Sequence, residues 1–220
     1  AIGGTINLVS KIPSKNQIEI DISTGEDGYQ KAAVMLTGIN QSGSSQGSLV
    51  VQKDTRDQFD GDSNGVSESP FLDNQSVTLT GSHDFSYSTN FRMRVNHTES
   101  EVFGGPVLGD NVDSIRSALG SFAEGESDHL FVDGDVTGRY IGNSWQTAEW
   151  VSTKRNEILI NLLYDFESKL NATLSVANIS HVQDSFYEGI DYYADDTMRY
   201  LDARFNYELS GQHFLTFGAD

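Results

Sequence analysis

The amino-acid sequence predicts an antiparallel all-β fold, because apolar residues recur at every second position in one segment after another. Residues 17–23 alternate Ile18, Ile20 and Ile22 with polar or charged neighbours, as a strand with one apolar and one wet face requires. No segment has a convincing helical stripe. The nearest candidate, residues 112–122, would be one short helix within a loop.

The first half of the chain contains five segments with this alternation. They predict strands at residues 17–23, 31–39, 48–54, 75–84 and 91–98. The fifth places Phe91, Met93 and Val95 on one face, and two arginines and an asparagine on the other. Charged residues in mid-strand indicate that the second face meets water.

The second half predicts four more strands, at residues 157–166, 172–181, 200–210 and a shorter 214–218. Residues 200–210 show the most extended alternation, from Leu201 to Leu209 against polar and charged residues. The last segment breaks off where the sequence ends. About nine strands are therefore expected in all.

Composition removes several classes of protein. The 220 residues include 32 acidic and 14 basic side chains, a net charge of -18 that argues against a nucleic-acid binder. Without cysteine there is no disulfide, no cysteine-ligated zinc and no thiol nucleophile. No apolar run reaches the roughly 18 residues of a transmembrane helix. The missing initiator Met and the abrupt end lead us to expect a piece of a longer protein.

The connections between the predicted strands differ in length on the two ends of the sheet. Short polar connections are expected at residues 40–47, 85–90, 167–171 and 211–213. Long ones are expected at residues 59–74, 99–154 and 187–198, with a short exception at residues 25–29. Antiparallel strands place all short turns at one end, an asymmetry typical of an outer-membrane β-barrel with short periplasmic turns and long extracellular loops.

A soluble β-sandwich is the alternative, because its strands also alternate. Two observations favour the transmembrane barrel. The polar faces carry charged pairs in mid-strand, such as Glu19 with Asp21 and Arg92 with Arg94. Aromatic residues gather near the turns, as in an interfacial girdle. The alternative function is a secreted soluble all-β binding or adhesion module for carbohydrates or surfaces.

The N-terminal segment is similar to a known family. Residues 1–13 read AIGGTINLVSKIP, with Gly3, Gly4, Ile6 and Asn7 directly before the first amphipathic strand. This resembles the end of the plug domain of TonB-dependent outer-membrane receptors, with conservative departures at Leu8 and Ser10. The closing residues 211–220, GQHFLTFGAD, also resemble a barrel strand of those receptors.

The resemblance implies a fold and a function. Residues 1–13 would be the C-terminal end of the plug, and residues 14–220 the N-terminal part of a barrel of about 22 strands. Such receptors lie in the outer membrane of Gram-negative bacteria, contact its lipid and lipopolysaccharide, and import a scarce nutrient with energy from the TonB complex. A ferric siderophore is the commonest ligand, with haem, cobalamin and oligosaccharides as alternatives. The energy-coupling box and most of the plug are not in this sequence.

Aromatic residues in the long connections are the candidate ligand-binding residues. They are Phe103, Trp145, Trp150, Tyr192 and Tyr193. At the mouth of a receptor such side chains would stack on the ligand. The alternative is that they pack the loops against their neighbours.

Residues 60–65 match the first half of a calcium-binding EF-hand loop. Asp60, Asp62 and Asn64 occupy the first three ligand positions, and Glu68 the ninth, but Phe71 replaces the glutamate expected at the twelfth. The segment is therefore a candidate divalent-cation site on an external loop, or simply a solvated acidic turn. Other acidic residues, including Asp191, Asp195 and Asp196, would likewise bind divalent cations that bridge to lipopolysaccharide phosphates.

Nothing in the sequence nominates a catalytic residue, so we expect no enzyme activity. The five histidines are dispersed, without a metal-ligand pair on a helix or glycines around a nucleophilic serine. Carboxylates such as Glu19 and Asp21 share a strand face but lack a pocket that would raise a pKa.

Overall fold

The computed structural model describes residues 13–61, 66–105, 149–166, 169–187, 190–211 and 213–219. They form nine strands: β1 (Gln17–Thr24), β2 (Gln30–Ile39), β3 (Ser45–Arg56), β4 (Phe71–Ser86), β5 (Thr89–Gly104), β6 (Glu149–Phe166), β7 (Leu170–Tyr187), β8 (Ile190–Ser210) and β9 (His213–Ala219). Each of the nine predicted strands is present, which confirms the all-β class.

The strands form one antiparallel sheet in the order of the sequence, from β1 to β9. Each strand pairs with the next strand in the sequence, and β1 does not pair with β9, so the sheet is open. The described part of the chain contains no helix with the length and hydropathy needed to cross a bilayer.

The register places apolar residues opposite apolar residues on neighbouring strands. Directly opposed residues of an antiparallel pair lie on the same face of the sheet. Ile20 lies opposite Val34, Val34 opposite Val51, and Val51 opposite Val77. The same face, here called the apolar face, continues through Leu79, Val95, Ile158, Ile160, Leu162, Leu174, Val176 and Leu201. The opposite, polar face carries Asp21, Lys31, Ser48, Thr78, Thr80, Arg92, Arg94, Asn96, Arg155, Glu157, His181 and Asp202.

The connections define two ends of the sheet. The turn end carries the connections of β2 to β3, β4 to β5, β6 to β7 and β8 to β9, none longer than residues 40–44. The loop end carries the remaining four, including residues 57–70 and 105–148. Two of the four loop-end connections are long and two, residues 25–29 and 188–189, are short, so the predicted asymmetry in length is present only in part.

Two of the predicted long connections, residues 59–74 and 99–154, are partly strand, since β4 already begins at Phe71. β5 continues to Gly104 and β6 starts at Glu149, so residues 99–104 and 149–154 extend the ladder instead of lying in a loop. The prediction of a long connection at residues 187–198 is wrong, because β8 begins at Ile190. In these extensions both faces carry polar residues, so the ladder continues where the alternation of hydrophobicity has ended.

The short turns are joined to the following strand by backbone hydrogen bonds. In each case a turn carbonyl accepts from an amide one strand further on: Ser44 O from Asp84 N at 2.8 Å, Ser88 O from Asp165 N at 2.7 Å, and Lys169 O from Glu208 N at 2.9 Å. These bonds extend the hydrogen-bond ladder to the turn end of the sheet. They also satisfy turn carbonyls that would otherwise need water as a partner.

Little of the described chain is buried. Phe71, Phe103 and Ala177 are the buried hydrophobic residues among those described, and the apolar face stays open, with Ile20 at 67% and Leu79 at 44% exposure. A single sheet covers neither of its own faces, so its apolar side chains need another apolar surface.

Candidate functional site

The apolar face is an extended exposed surface across all nine strands. On β6 it runs from Ile158 to Phe166, roughly 26 Å along the strand. Aromatic side chains collect toward the turn end, where Tyr164 contacts Phe166 edge to face at 4.5 Å and Phe205 stacks on Phe217 at 5.3 Å. Monomeric soluble proteins rarely leave an apolar surface of this extent in water.

The polar face is linked by side-chain hydrogen bonds across the strands. Ser48 Oγ lies 2.6 Å from Thr80 Oγ1, and Thr78 Oγ1 donates to Asn96 Oδ1 at 2.7 Å. Ser100 Oγ donates to an Asn74 amide oxygen on the neighbouring strand. Such a face is suited to water and not to an apolar layer.

Arginines concentrate on the polar face of β5 and β6. Arg94 Nε lies 3.6 Å from Glu157 Oε1, and Arg155 Nη2 lies 3.4 Å from Glu157 Oε2. Arg92 Nε donates to Asn90 Oδ1 at 2.9 Å. The same face of β6 also carries Glu149 and Asp165, so three arginines lie among three carboxylates in this part of the sheet.

A second charged group lies on the other side of the sheet, at the loop end of the apolar face. Glu99 accepts hydrogen bonds from Lys154 Nζ at 2.7 Å and Gln75 Nε2 at 2.5 Å, and His97 Nε2 lies 3.4 Å away. The hydrogen bonds from Lys154 and Gln75 lower the pKa of Glu99 below its ordinary value. The apolar face therefore ends in a charged border.

The structure places two of the aromatic candidates, Phe103 and Trp150, opposite each other on strands β5 and β6. Phe103 is 0% exposed and also lies opposite the buried Phe71. Trp150 Nε1 donates to Glu101 Oε1 at 3.2 Å. Phe103 therefore has a packing role in this structure, and its contact with a ligand stays a prediction.

Tyr192 and Tyr193 lie on β8 and not in a loop, so they point to opposite faces of the sheet. Both are exposed, at 54% and 64%. The structure does not bring them onto one surface with each other. Trp145 lies outside the described residues.

At the candidate cation site, the structure describes Asp60 and Glu68 but not Asp62 or Asn64. Glu68 Oε2 accepts a hydrogen bond from the Gly61 amide at 2.6 Å, beside the bridge between Phe59 and Ser69. The carboxylate thus caps a small hairpin. Within the described ranges, no three His, Cys, Asp or Glu side chains come together as metal ligands.

The plug-like motif of Gly3, Gly4, Ile6 and Asn7 also lies outside the described residues. Comparison with protein-family models gave no match, and comparisons with curated proteins and with solved structures gave none either.

Proposed function

We propose that the sheet is part of a transmembrane β-barrel in the bacterial outer membrane. The observation that carries this proposal is the exposed apolar face, which is continuous across the strands while the opposite face is polar and hydrogen-bonded. Its extent on β6 is of the same order as the apolar band of such barrels, about 25 Å tall. The aromatic pairs near the turn end suit a membrane interface.

The open edges of β1 and β9 fit the same proposal. Unpaired strand edges leave N–H and C=O groups that hydrocarbon cannot satisfy, so further strands would have to close the barrel. The turn end would face the periplasm and the loop end the exterior. The Glu99 group would then lie at the level of the outer lipid headgroups.

Within this class we propose a TonB-dependent transporter, on the resemblance of residues 1–13 and 211–220. Such a protein binds a scarce nutrient, most often a ferric siderophore, and imports it with energy from the TonB complex. A secreted soluble binding module is the second candidate. It would require a second layer over the apolar face, and the described residues supply one sheet.

Two neighbouring residues on β4 test the membrane proposal. Leu79 lies on the apolar face and Thr78 on the polar face, at almost the same depth. Leu79→Arg should block assembly, because a cation facing lipid costs about 2–4 kcal/mol near the bilayer midplane. Thr78→Arg should assemble, because its side chain meets water. Assembly is measured as folded protein in isolated outer membranes.

Equal assembly of the two variants would overturn the membrane proposal, as would a soluble, monomeric wild-type chain that melts cooperatively without detergent. Transport is tested separately. Cells lacking the gene should lose uptake of a radiolabelled ferric siderophore that wild-type cells take up, and regain it with the full-length gene. Unchanged uptake of a panel of such ligands would overturn the proposed substrate class.

A further inference from the structure

We propose that a polar patch on the apolar face of β7 and β8 binds a phosphate group of lipopolysaccharide in the outer leaflet. The patch consists of Asn178, Ser180, Thr197 and Arg199. The inference rests on the proposed function, because it requires the apolar face to contact lipid and the loop end to face the exterior. It deepens that proposal by naming the residues that bind the lipid headgroup.

The patch lies where the apolar runs of the two strands end. On β8 the apolar run extends from Leu209 near the turn end to Leu201, roughly 26 Å along the strand, and Arg199 is the next residue on the same face. On β7 the run ends at Val176, and Asn178 follows it on the same face. In the proposed orientation these residues lie where the hydrocarbon gives way to the outer headgroups.

The register makes the four side chains of the patch neighbours. Asn178 lies directly opposite Arg199, and Ser180 lies directly opposite Thr197. Directly opposed Cβ atoms are about 4.5–5.5 Å apart, and residues two apart along a strand are separated by roughly 7 Å. The four side chains are therefore close enough together to contact one phosphate group.

The patch carries one positive charge and no negative charge. In the described part of the chain, none of its four side chains forms a hydrogen bond or an ion pair. On the same face of β8 the nearest carboxylate is Asp195, four residues from Arg199 and roughly 13 Å along the strand. On β6, Lys154 is already paired with Glu99 at 2.7 Å. Among the described residues, Arg199 is thus a cation without a protein partner.

The donors of the patch fit an ionised phosphate, whose oxygens accept hydrogen bonds. The guanidinium group of Arg199 offers five N–H donors in a planar fork, which binds phosphate through two parallel hydrogen bonds. The Asn178 amide and the hydroxyl groups of Ser180 and Thr197 offer further donors. An exposed arginine beside hydrocarbon is costly, so an anionic headgroup would also compensate its charge.

The patch is continuous with an apolar surface that suits acyl chains. Leu201 lies opposite Val176 directly on the turn-end side of the patch, and both side chains are exposed. Lipopolysaccharide carries its lipid A phosphates just above its acyl chains. One lipid A molecule would therefore meet the arginine with its phosphate and the two apolar residues with its hydrocarbon.

Native mass spectrometry of the full chain in non-ionic detergent measures the dissociation constant for lipid A. Arg199→Gln should weaken binding at least tenfold. Arg204→Gln is the matched control, because it removes the same charge from the polar face of the same strand and should leave binding unchanged. Asn178→Asp should also weaken binding at least tenfold, since a carboxylate opposite Arg199 would take the place of the phosphate.

Failure of the wild-type chain to bind lipid A would overturn the inference, as would equal losses in Arg199→Gln and Arg204→Gln. Lipid A without its phosphates binding as tightly would overturn the assignment to phosphate. Phosphatidylglycerol binding as tightly would overturn the assignment to lipopolysaccharide. Circular dichroism shows whether each variant has formed the sheet, and Asn178→Asp keeps Arg199, so it tests the patch even where Arg199→Gln does not fold.

The membrane proposal is tested separately, by assembly of Leu79→Arg and Thr78→Arg. If only Thr78→Arg assembles and lipid A does not bind, the phosphate site alone is overturned. If both variants assemble equally, the membrane proposal on which the site rests is overturned.

Discussion

Gly28 and Asp57 lie in contact where the first hairpin meets the end of β3. A Cβ added to Gly28 would stand 2.3 Å from Asp57 Oδ2, and Gly28 has a φ of +65°. The Asp57 amide also donates to the carbonyl of Asp27 at 3.1 Å. The connection between β1 and β2 is therefore held against β3. The left-handed backbone at residue 28 favours glycine, and any larger residue would also require the Asp57 carboxylate to shift.

Gly28→Ala should destabilise the protein more than Gly43→Ala. Gly43 has a φ of +76° but nothing within 4 Å of an added Cβ, so alanine there meets only the left-handed backbone penalty of about 1–2 kcal/mol. At Gly28 the clash with Asp57 adds to that penalty. Urea unfolding of both variants in detergent micelles measures the difference. Equal losses would show that the carboxylate moves aside without cost.

Glu68→Ala and Glu68→Gln separate a turn cap from a calcium ligand. Glutamine keeps an oxygen that accepts from the Gly61 amide, whereas alanine removes it. We expect Glu68→Gln to retain the stability of wild type and Glu68→Ala to lose about 0.5–1.5 kcal/mol, without added calcium. Thermal melts with and without calcium provide the measurement. Equal effects of both variants, appearing only with calcium, would indicate a metal ligand instead.

Acid should weaken the loop end of β5 and β6 through Glu99. Its pKa is lowered in the folded protein, chiefly by the hydrogen bond from Lys154, below the ordinary value of about 4.5. The stabilisation is therefore complete above that ordinary value and is lost as pH falls through the lower folded-state pKa. The side chains are partly exposed, so the effect is small.

A double-mutant cycle isolates this pair. Lys154→Met should lower the free energy of unfolding at pH 7, because Glu99 loses its cation. It should also reduce the fall in that free energy between pH 5 and pH 3, which is measured by urea unfolding at each pH. Glu99→Gln should flatten the same window, and Lys154→Met should add no further change in that background. An unchanged pH profile in Lys154→Met would exclude the ion pair as its source.

The sequence predicted the strands because alternation of hydrophobicity exists where one face meets an apolar surface. On β5 the alternation is clear from Phe91 to Val95, and nine strands were found where nine were expected. It fails from Glu99 onward, where Glu99 and Glu101 follow on the same face as Val95 although the pairing with β6 continues. Backbone hydrogen bonds do not depend on side-chain polarity, so the alternation of hydrophobicity does not predict where the strands end.

The candidate sites were less predictable, because they depend on contacts between strands. Arg94 and Arg155 are distant in sequence, and only the register of β5 and β6 brings both to Glu157. The end of the alternation places Phe103 and Trp150 in a long connection between strands, yet the two residues lie opposite each other on β5 and β6. A pairing register cannot be inferred from one strand, since it is fixed by the turns and by both partners.

Phe103→Ala should destabilise the protein strongly, because its side chain is fully buried opposite Phe71. Truncating a buried phenylalanine costs about 3–5 kcal/mol. Phe85→Ala is the matched control, since Phe85 is 66% exposed near the turn end and should lose less than about 1 kcal/mol. Urea unfolding in detergent measures both. A stable Phe103→Ala variant that binds ligand less tightly would instead assign Phe103 to the ligand site, because a residue that only packs changes binding through stability alone.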